Sequence, residues 1–545
     1  MKKSVLFLLG LFLVVSVSSC GKQGADTSDI PVIKTIAIEE LRDKIAGGWA
    51  GKMIGVSYGA PTEFDARGEI YEDEINWDIE SIKNSIHQDD LYVQLSFMMT
   101  MDKYGIDAPA EKFAESFATA GYALWHANVM ARKNFFDGIM PPLSGSPEYN
   151  LHADDIDFQI EADYIGFMCP GLPGAAIKIA DKVGHVMNYG DGVYGGMFVA
   201  ALYTEAYFNS NIPEIVNRAL LSIPPESDYA ECVSDVIALH SVYPNDWRAA
   251  WRELESKWGD VDICGALDPF NIDAKLNGAY IVMGLLYGDG DFEKTMEIST
   301  RCGQDSDCNP SNAAAVIGVI NGYDAIPESW KEGVAAIADS QFIFTDYTFN
   351  TAVENTLNYA LQLIAENGGT VTASEASVRI QEPSPPPFED AFPNVVPDYK
   401  ISVFEDEGWG WKGNWNVLTR RNRGGGDEIQ LSRYSDEAGA EMMFDFEGTG
   451  VVIRGAWKKD GGMADAYVDG KLHRTFDTYF WYANQEKDEA FLWHVLNLEP
   501  GKHTVRLVVK GEKRAESEGA RLYITGATVF KTGQKNNDTV KLSFE

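Results

Sequence analysis

The chain has 545 residues, 45% of them hydrophobic, with 82 acidic residues against 45 basic ones and a formal net charge of −37. That length requires more than one domain and provides ample core. That charge excludes nucleic-acid binding through a basic surface, and it suits either a soluble acidic exterior or carboxylate-rich metal sites.

The first residues read as a targeting segment. Lys2 and Lys3 precede an apolar run from Val5 to Val15 that only Gly10 interrupts. The run is shorter than the roughly 20 residues of a bilayer-spanning helix. Val17-Ser18-Ser19-Cys20 follows and resembles a bacterial lipobox. The resemblance implies a signal peptide over residues 1–20, lipidation of Cys20, and anchoring in the cell envelope at the outer membrane. Residues 21–35 are small and polar, as a tether would be.

Residues 36–380 are expected to form an all-α domain, because apolar residues recur there at helical spacing between Gly and Pro breaks. One helix is expected from Asp89 to just before Gly105, another over 175–183 and a third over 195–208. Two acidic motifs stand directly before such helices. The first is His87-Gln88-Asp89-Asp90. The second is Gly303-Gln304-Asp305-Ser306-Asp307-Cys308-Asn309-Pro310, in which Asn309 suits the N-cap and Pro310 the first helical position. Each motif alone reads as acidic N-capping, and Asp305-Ser306-Asp307 alone reads equally as a calcium-loop fragment. If both helix starts converge, up to four carboxylates share a cleft and require a cation. Such an oxygen-rich site suits Mg²⁺, Mn²⁺ or Ca²⁺.

Between the motifs, residues 152–163 pack Asp154, Asp155, Asp157, Glu161 and Asp163 among Ile and Phe. Beyond Cys20 there remain Cys169, Cys232, Cys264, Cys302 and Cys308. Five thiols cannot all pair within one chain, but Cys302 and Cys308 are close enough in sequence to form a disulfide.

Six prolines fall within residues 381–398, which therefore read as a linker. From residue 399 to 533, short β-rich runs alternate with turns such as Asp469-Gly470 and Pro500-Gly501. This pattern predicts an all-β sandwich. Residues 534–545 read as a polar tail. The ring density of Trp409–Trp415 and Tyr479–Tyr482 predicts that the sandwich docks on the helical domain.

Several motifs resemble the ADP-ribosylglycohydrolase family in that family's order. They are Gly47-Gly48-Trp49-Ala50-Gly51-Lys52-Met53-Ile54-Gly55 running on to Glu63, then Asp89-Asp90, then Asp305-Ser306-Asp307, then Tyr323–Trp330. The resemblance implies an all-α fold, one or two divalent metal ions with Mg²⁺ foremost, and hydrolysis at an anomeric carbon. It implies Asp89, Asp90, Asp305 and Asp307 as metal ligands, Gln88 in place of a ligating hydroxyl residue, and Glu63 as acid/base. Cys308 departs from the family's Thr. By the same resemblance, residues 152–163 stand in for a substrate-contacting loop, which implies Asp154, Asp155 and Asp157 as candidates to shape a sugar site, with Asp155 a candidate base. His185 and Asp191 match positions beside the family's cleft. Residues 399–533 resemble galactose-binding-like jelly rolls. The expected function is metal-dependent hydrolysis of a ribosyl or related furanosyl bond in a carbohydrate or nucleoside-like substrate outside the cytoplasm. The alternative is a non-catalytic, metal-dependent carbohydrate-binding lipoprotein.

Overall fold

The computed structural model describes residues 32–259, 262–405, 408–421 and 428–533. The segment expected to be a signal peptide, Cys20, most of the expected tether and the expected tail lie outside the described residues.

From Ile38 to Glu366 the described chain is built of helices. The helix predicted at Asp89 runs Asp89–Tyr104 and ends at Gly105, whose φ of +87° a glycine adopts without strain. The two later helices run Pro173–Gly184 and Asp191–Ala206. The last starts four residues earlier than its apolar pattern, which puts Asp191 in its first turn. Among the described residues no helix is long and apolar enough to cross a membrane.

One element departs from the all-α expectation. Strands Ile33–Ala37, Glu375–Arg379 and Thr370–Val371 form a small antiparallel sheet that pairs Ile33 with Arg379. Only Ile36, Ala376 and Val378 of it are buried, too few for an alternating pattern to be legible.

Helix Ile38–Gly59 lies along the centre of the domain against helix Cys308–Asn321. Their backbones approach so closely that a Cβ on Gly55 would sit 2.4 Å from the Pro310 carbonyl oxygen, and one on Gly59 2.0 Å from that of Ser306. Glycines four residues apart form one face of a helix. This face is what lets the two helices touch.

The β region is a two-sheet sandwich. One sheet orders Lys471–Asp477, Met463–Val468, Gly501–Val509, Glu441–Gly448 and Trp409–Lys412. The other orders Lys487–Val495, Gly450–Trp457, Leu522–Thr532, Glu428–Ser435 and Asn416–Arg421, with Val395–Ser402 also paired to Leu522–Thr532. The first sandwich strand thus begins inside the segment expected to be a linker. The rest of that segment lies against the helices. Gln381 Oε1 accepts from the Ala175 amide, and Tyr194 Oη meets the Glu389 amide at 2.5 Å.

The sandwich docks on the helical domain. Phe136 stacks on Tyr482 with centroids 4.1 Å apart. Arg514 reaches Asp137 at 2.5 Å, and Arg474 donates to the Glu148 carbonyl at 2.7 Å. Lys487 donates to the Leu124 carbonyl at 2.8 Å. Of the rings expected at the seam, Tyr482 is there. Trp409, Trp411 and Trp415 instead stack on one another and on Phe444 inside the sandwich.

Candidate functional site

The glycine contact positions two loops. It brings the end of helix Ile38–Gly59, and with it Thr62 and Glu63, onto the start of helix Cys308–Asn321. Thr62 Oγ1 and Ser306 Oγ lie 2.8 Å apart, and the Phe64 amide donates to the Gln304 carbonyl at 3.0 Å. Gln304 adopts a φ of +55° and ties its side chain to Asn271 and Pro269. This helix starts two residues earlier than its motif suggested. Asp307 is the N-cap, although its side chain makes no capping bond. Asn309, predicted as the cap, instead donates to Asn277 at 2.9 Å.

Three carboxylates meet here. Glu63, Asp305 and Asp307 each offer an oxygen, all within 4.8 Å of one another, and Asp90, Asp307 and Cys308 form a second such trio. Asp90, Asp305 and Asp307 are buried, whereas Glu63 is exposed at the lip. Although the residue as a whole is exposed, desolvation of its carboxyl and the neighbouring Asp307, Asp89 and Asp90 charges push Glu63 up to about 8. Burial pushes Asp305 up to about 8, and Asp307, buried beside Asp305, is raised well above the carboxylate range. Asp89 is raised to about 6, first by burial and then by Asp90.

Lys52 closes the floor. Its ammonium is 3.0 Å from Asp90 Oδ1 and 2.8 Å from Asp163 Oδ2, with all three side chains out of water. Asp163 is fixed further by Asn312 at 2.9 Å and by Tyr203.

Does this donor set fit a divalent ion? Glu63, Asp305 and Asp307 are oxygen-only, and Asp307 Oδ1 is buried without a hydrogen-bond partner. That trio fits a hard cation such as Mg²⁺. The second trio fits less well, because the Cys308 thiol is a soft donor and itself hydrogen-bonds Asp90 Oδ2 at 3.0 Å. Asp89 belongs to neither trio, and Gln88 stands at the N-cap of helix Asp89–Tyr104 without a side-chain capping bond. The disulfide expected between Cys302 and Cys308 does not form, since both are free thiols. Cys308 points at Asp90, while Cys302 sits where its carbonyl accepts from Trp251.

The other predicted residues fall elsewhere. Asp157 accepts from the Ala127 and Asn128 amides at 3.1 and 3.0 Å and so caps helix His126–Phe136. Asp154 and Asp191 line a small cavity with Glu389 and Phe392, under the proline-rich segment. His185, expected beside substrate, is engaged at both ring nitrogens, by the Asp181 carbonyl at 2.6 Å and by Glu389 at 3.0 Å. It fastens the proline-rich segment. Asp155 pairs with His152 at 2.6 Å, next to His126 and Cys264. Sequence reasoning gave no role to Lys52, Asp163, His126 or Cys264. A lone Lys inside the apolar helix run Trp49–Met53 was the readable signal for the first.

Residues 37–363 match the model of the ADP-ribosylglycohydrolase family. The chain belongs to the ADP-ribosylglycohydrolase family. Two curated relatives come from Flavonifractor plautii. An A type blood N-acetyl-alpha-D-galactosamine deacetylase is 29% identical over 194 residues, covering 35% of this chain and 23% of that protein. An A type blood alpha-D-galactosamine galactosaminidase is 28% identical over 137 residues, covering 25% of this chain and 11% of that protein. The matched stretches thus span less than a quarter of either relative. Among solved structures, the chain is similar to an ADP-ribosylglycohydrolase-related protein complex at 15% identity, covering 59% of this chain and 98% of that one, with a TM-score of 0.41.

Proposed function

We propose that this ADP-ribosylglycohydrolase-family protein is a metal-dependent hydrolase of a ribosyl or related furanosyl glycosidic bond, O- or N-linked, acting outside the cytoplasm. The observation that carries the reading is the meeting of Glu63, Asp305 and Asp307 within 4.8 Å at one helix start, beside buried Asp90.

Asp305 and Asp307 would hold a divalent ion, Mg²⁺ foremost, with Asp90 and Asp89 beside them and Glu63 at the lip. A bound ion supplies Lewis acidity toward furanose hydroxyls and a water. The chain's own residues do the rest. Glu63 is the one carboxyl of the group exposed to an incoming sugar, and its carboxyl, pushed up to about 8, keeps its proton at neutral pH. It suits general-acid delivery of that proton to the leaving oxygen or nitrogen. Lys52 holds Asp90 in place.

The substrate is a carbohydrate or a nucleoside-like glycoside. The galactosamine-directed names of the two relatives support a sugar ligand and add galactosaminides to the compounds to test. Lipidation at Cys20 would hold the enzyme on the envelope, and Cys20→Ala should release it to the soluble fraction. A second reading, a non-catalytic sugar-binding lipoprotein, is favoured by one observation: Asp90 is already engaged by Lys52 and by the Cys308 thiol. Turnover separates the two. A panel of pentofuranosides, ADP-ribosyl compounds and galactosaminides with Mg²⁺, Mn²⁺ or Ca²⁺ should show sugar release that Asp307→Ala abolishes together with metal affinity. Binding without release across the panel would favour the second reading.

A further inference from the structure

We propose that His126, His152, Asp155 and Cys264 form a closed, four-ligand site for a zinc-class ion where the helical domain meets the sandwich, separate from the carboxylate centre. Each residue offers one donor atom, and the four atoms lie within 4.8 Å of one another. A tetrahedral site with bonds of about 2.0–2.3 Å spaces its donors roughly 3.3–3.8 Å apart. Two separations already meet that: Cys264 Sγ is 3.4 Å and His126 Nδ1 3.7 Å from Asp155 Oδ2. His152 Nδ1, now 2.6 Å from the same oxygen, needs only to give up that hydrogen bond.

The donor types select the metal. Two imidazoles, a thiolate and one carboxylate suit Zn²⁺, whereas Mg²⁺ and Ca²⁺ favour all-oxygen sets. This chemistry contrasts with the Glu63–Asp305–Asp307 trio. The two clusters flank a shared apolar wedge, in which Phe270 stacks on Phe64 with centroids 5.1 Å apart and on His126 at 5.8 Å.

The ligands come from three segments, each held independently. Asp262 accepts from the amides of Cys264, Gly265 and Ile272 at 2.7, 2.9 and 2.8 Å and so shapes the loop that presents Cys264. Asn150 Oδ1 accepts from the His152 amide at 3.0 Å. His126 opens its helix with a φ of +42°, a strained value for a non-glycine residue that persists only where the surroundings impose it.

The charge balance points the same way. Asp155 is fully buried, and its Oδ1 has no hydrogen-bond partner. Asp154, Asp157 and Asp262 crowd it with like charge. Lys275 is 2.8 Å from Asp273 and 3.9 Å from Asp154, so its ammonium serves those two. A bound cation would offset this. Without the ion the Cys264 thiol hydrogen-bonds Asp155 Oδ2 at 3.4 Å, whereas the strained His126 backbone has no such partner to account for it.

The ion would clamp the floor on which the sandwich sits. His152 stacks on Phe491 with centroids 5.0 Å apart, and His126, His152 and Cys264 line a cavity of about 320 Å³ with Lys487 and Trp457.

The test uses the purified full chain loaded with Zn²⁺, or with Co²⁺ as a spectroscopic stand-in. One tightly held zinc per chain is expected, not displaced by excess Mg²⁺. The cobalt form should show a thiolate-to-metal charge-transfer band and the intense visible bands of tetrahedral coordination. Cys264→Ser, a near-isosteric change, should abolish the charge-transfer band, and His152→Ala should lower zinc affinity about 10-fold or more. Asp307→Asn should leave zinc stoichiometry and the cobalt spectrum unchanged. Wild-type protein without stoichiometric zinc, or a weak octahedral cobalt spectrum, would overturn the site, and either readout is independent of how the variants fold. Loss of zinc in Asp307→Asn would overturn its separateness.

Discussion

Lys52 Nζ sits 3.0 Å from Asp90 Oδ1, and neither side chain touches water. The ammonium also serves Asp163, so one buried cation balances two buried carboxylates. Lys52→Met would strand both. Removing one partner of a buried ion pair costs about 3–5 kcal/mol, and Lys52→Met should lower stability by that order. The change should read as a lower urea midpoint at an unchanged slope. Adding Asp163→Asn should recover part of the loss. A single variant as stable as wild type would mean that the pair holds no net charge balance.

The glycine face makes a second prediction. In Gly55→Ala the new Cβ would meet the Pro310 carbonyl oxygen at 2.4 Å, a backbone atom that cannot swing aside. The helices must part, which costs about 1–3 kcal/mol. Because that contact sets Glu63 against Asp305 and Asp307, Mg²⁺ affinity should fall as well. Gly501→Ala, with nothing within 4 Å of its Cβ, is the control and should change neither. Loss of stability with unchanged metal affinity would detach the glycine contact from the site.

Legibility in the sequence followed the period of the signal. The two-part architecture could be read because helical and strand periods differ and prolines mark the change. Asp90, Asp305, Asp307 and Glu63 could be singled out because each stands at or beside a helix end with a recognisable neighbourhood. Asp163, His126 and Cys264 could not, and Lys52 carried only its isolation in an apolar helix run. Their partners lie tens to over a hundred residues away, and no local spacing encodes a meeting that depends on the tertiary fold. His185 shows the converse error. Its match to a position beside the family's cleft suggested substrate contact, yet Glu389, 204 residues on, occupies its ring nitrogen. The disulfide failed similarly, because six residues of separation say nothing of where two thiols point.

Docking of the sandwich predicts measurable coupling across the seam. Phe136 and Tyr482 stack at an interplanar angle of 7°, and Arg514 joins Asp137 to Asp477. Phe136→Ala and Tyr482→Ala should each destabilise the whole chain, and a double-mutant cycle should return about 0.5–1.5 kcal/mol of interaction. Residues 36–380 expressed alone should be less stable and less soluble than the full chain. Zero coupling, with scattering that shows two independently moving bodies, would mean that the domains separate in solution.

The last prediction concerns pH and the carboxylate centre. Asp305 and Glu63 are raised to about 8, and Asp157 to about 7, from ordinary values near 4. For these groups the folded state binds protons that the unfolded chain has already released. Their contribution is therefore fully present below the unfolded value and is lost as pH rises through the folded one. Four histidines, His126, His152, His473 and His494, are lowered by burial and act oppositely but lower down. His126 is held to about 4 and His494 to about 3 by burial, against 6.5 when free, so they cost stability only as pH falls below 6.5. Between pH 6.5 and 8 the carboxyls decide the sign. In chelator, the melting temperature should fall as pH rises across that window. A divalent ion must displace the protons of Asp305 and Asp307, so its affinity should rise with pH. The melting shift produced by Mg²⁺ should accordingly be larger at pH 8 than at pH 6.5, and Asp305→Asn should flatten the difference. A shift that is larger at pH 6.5, or indifferent to Asp305→Asn, would show that the ion sits elsewhere.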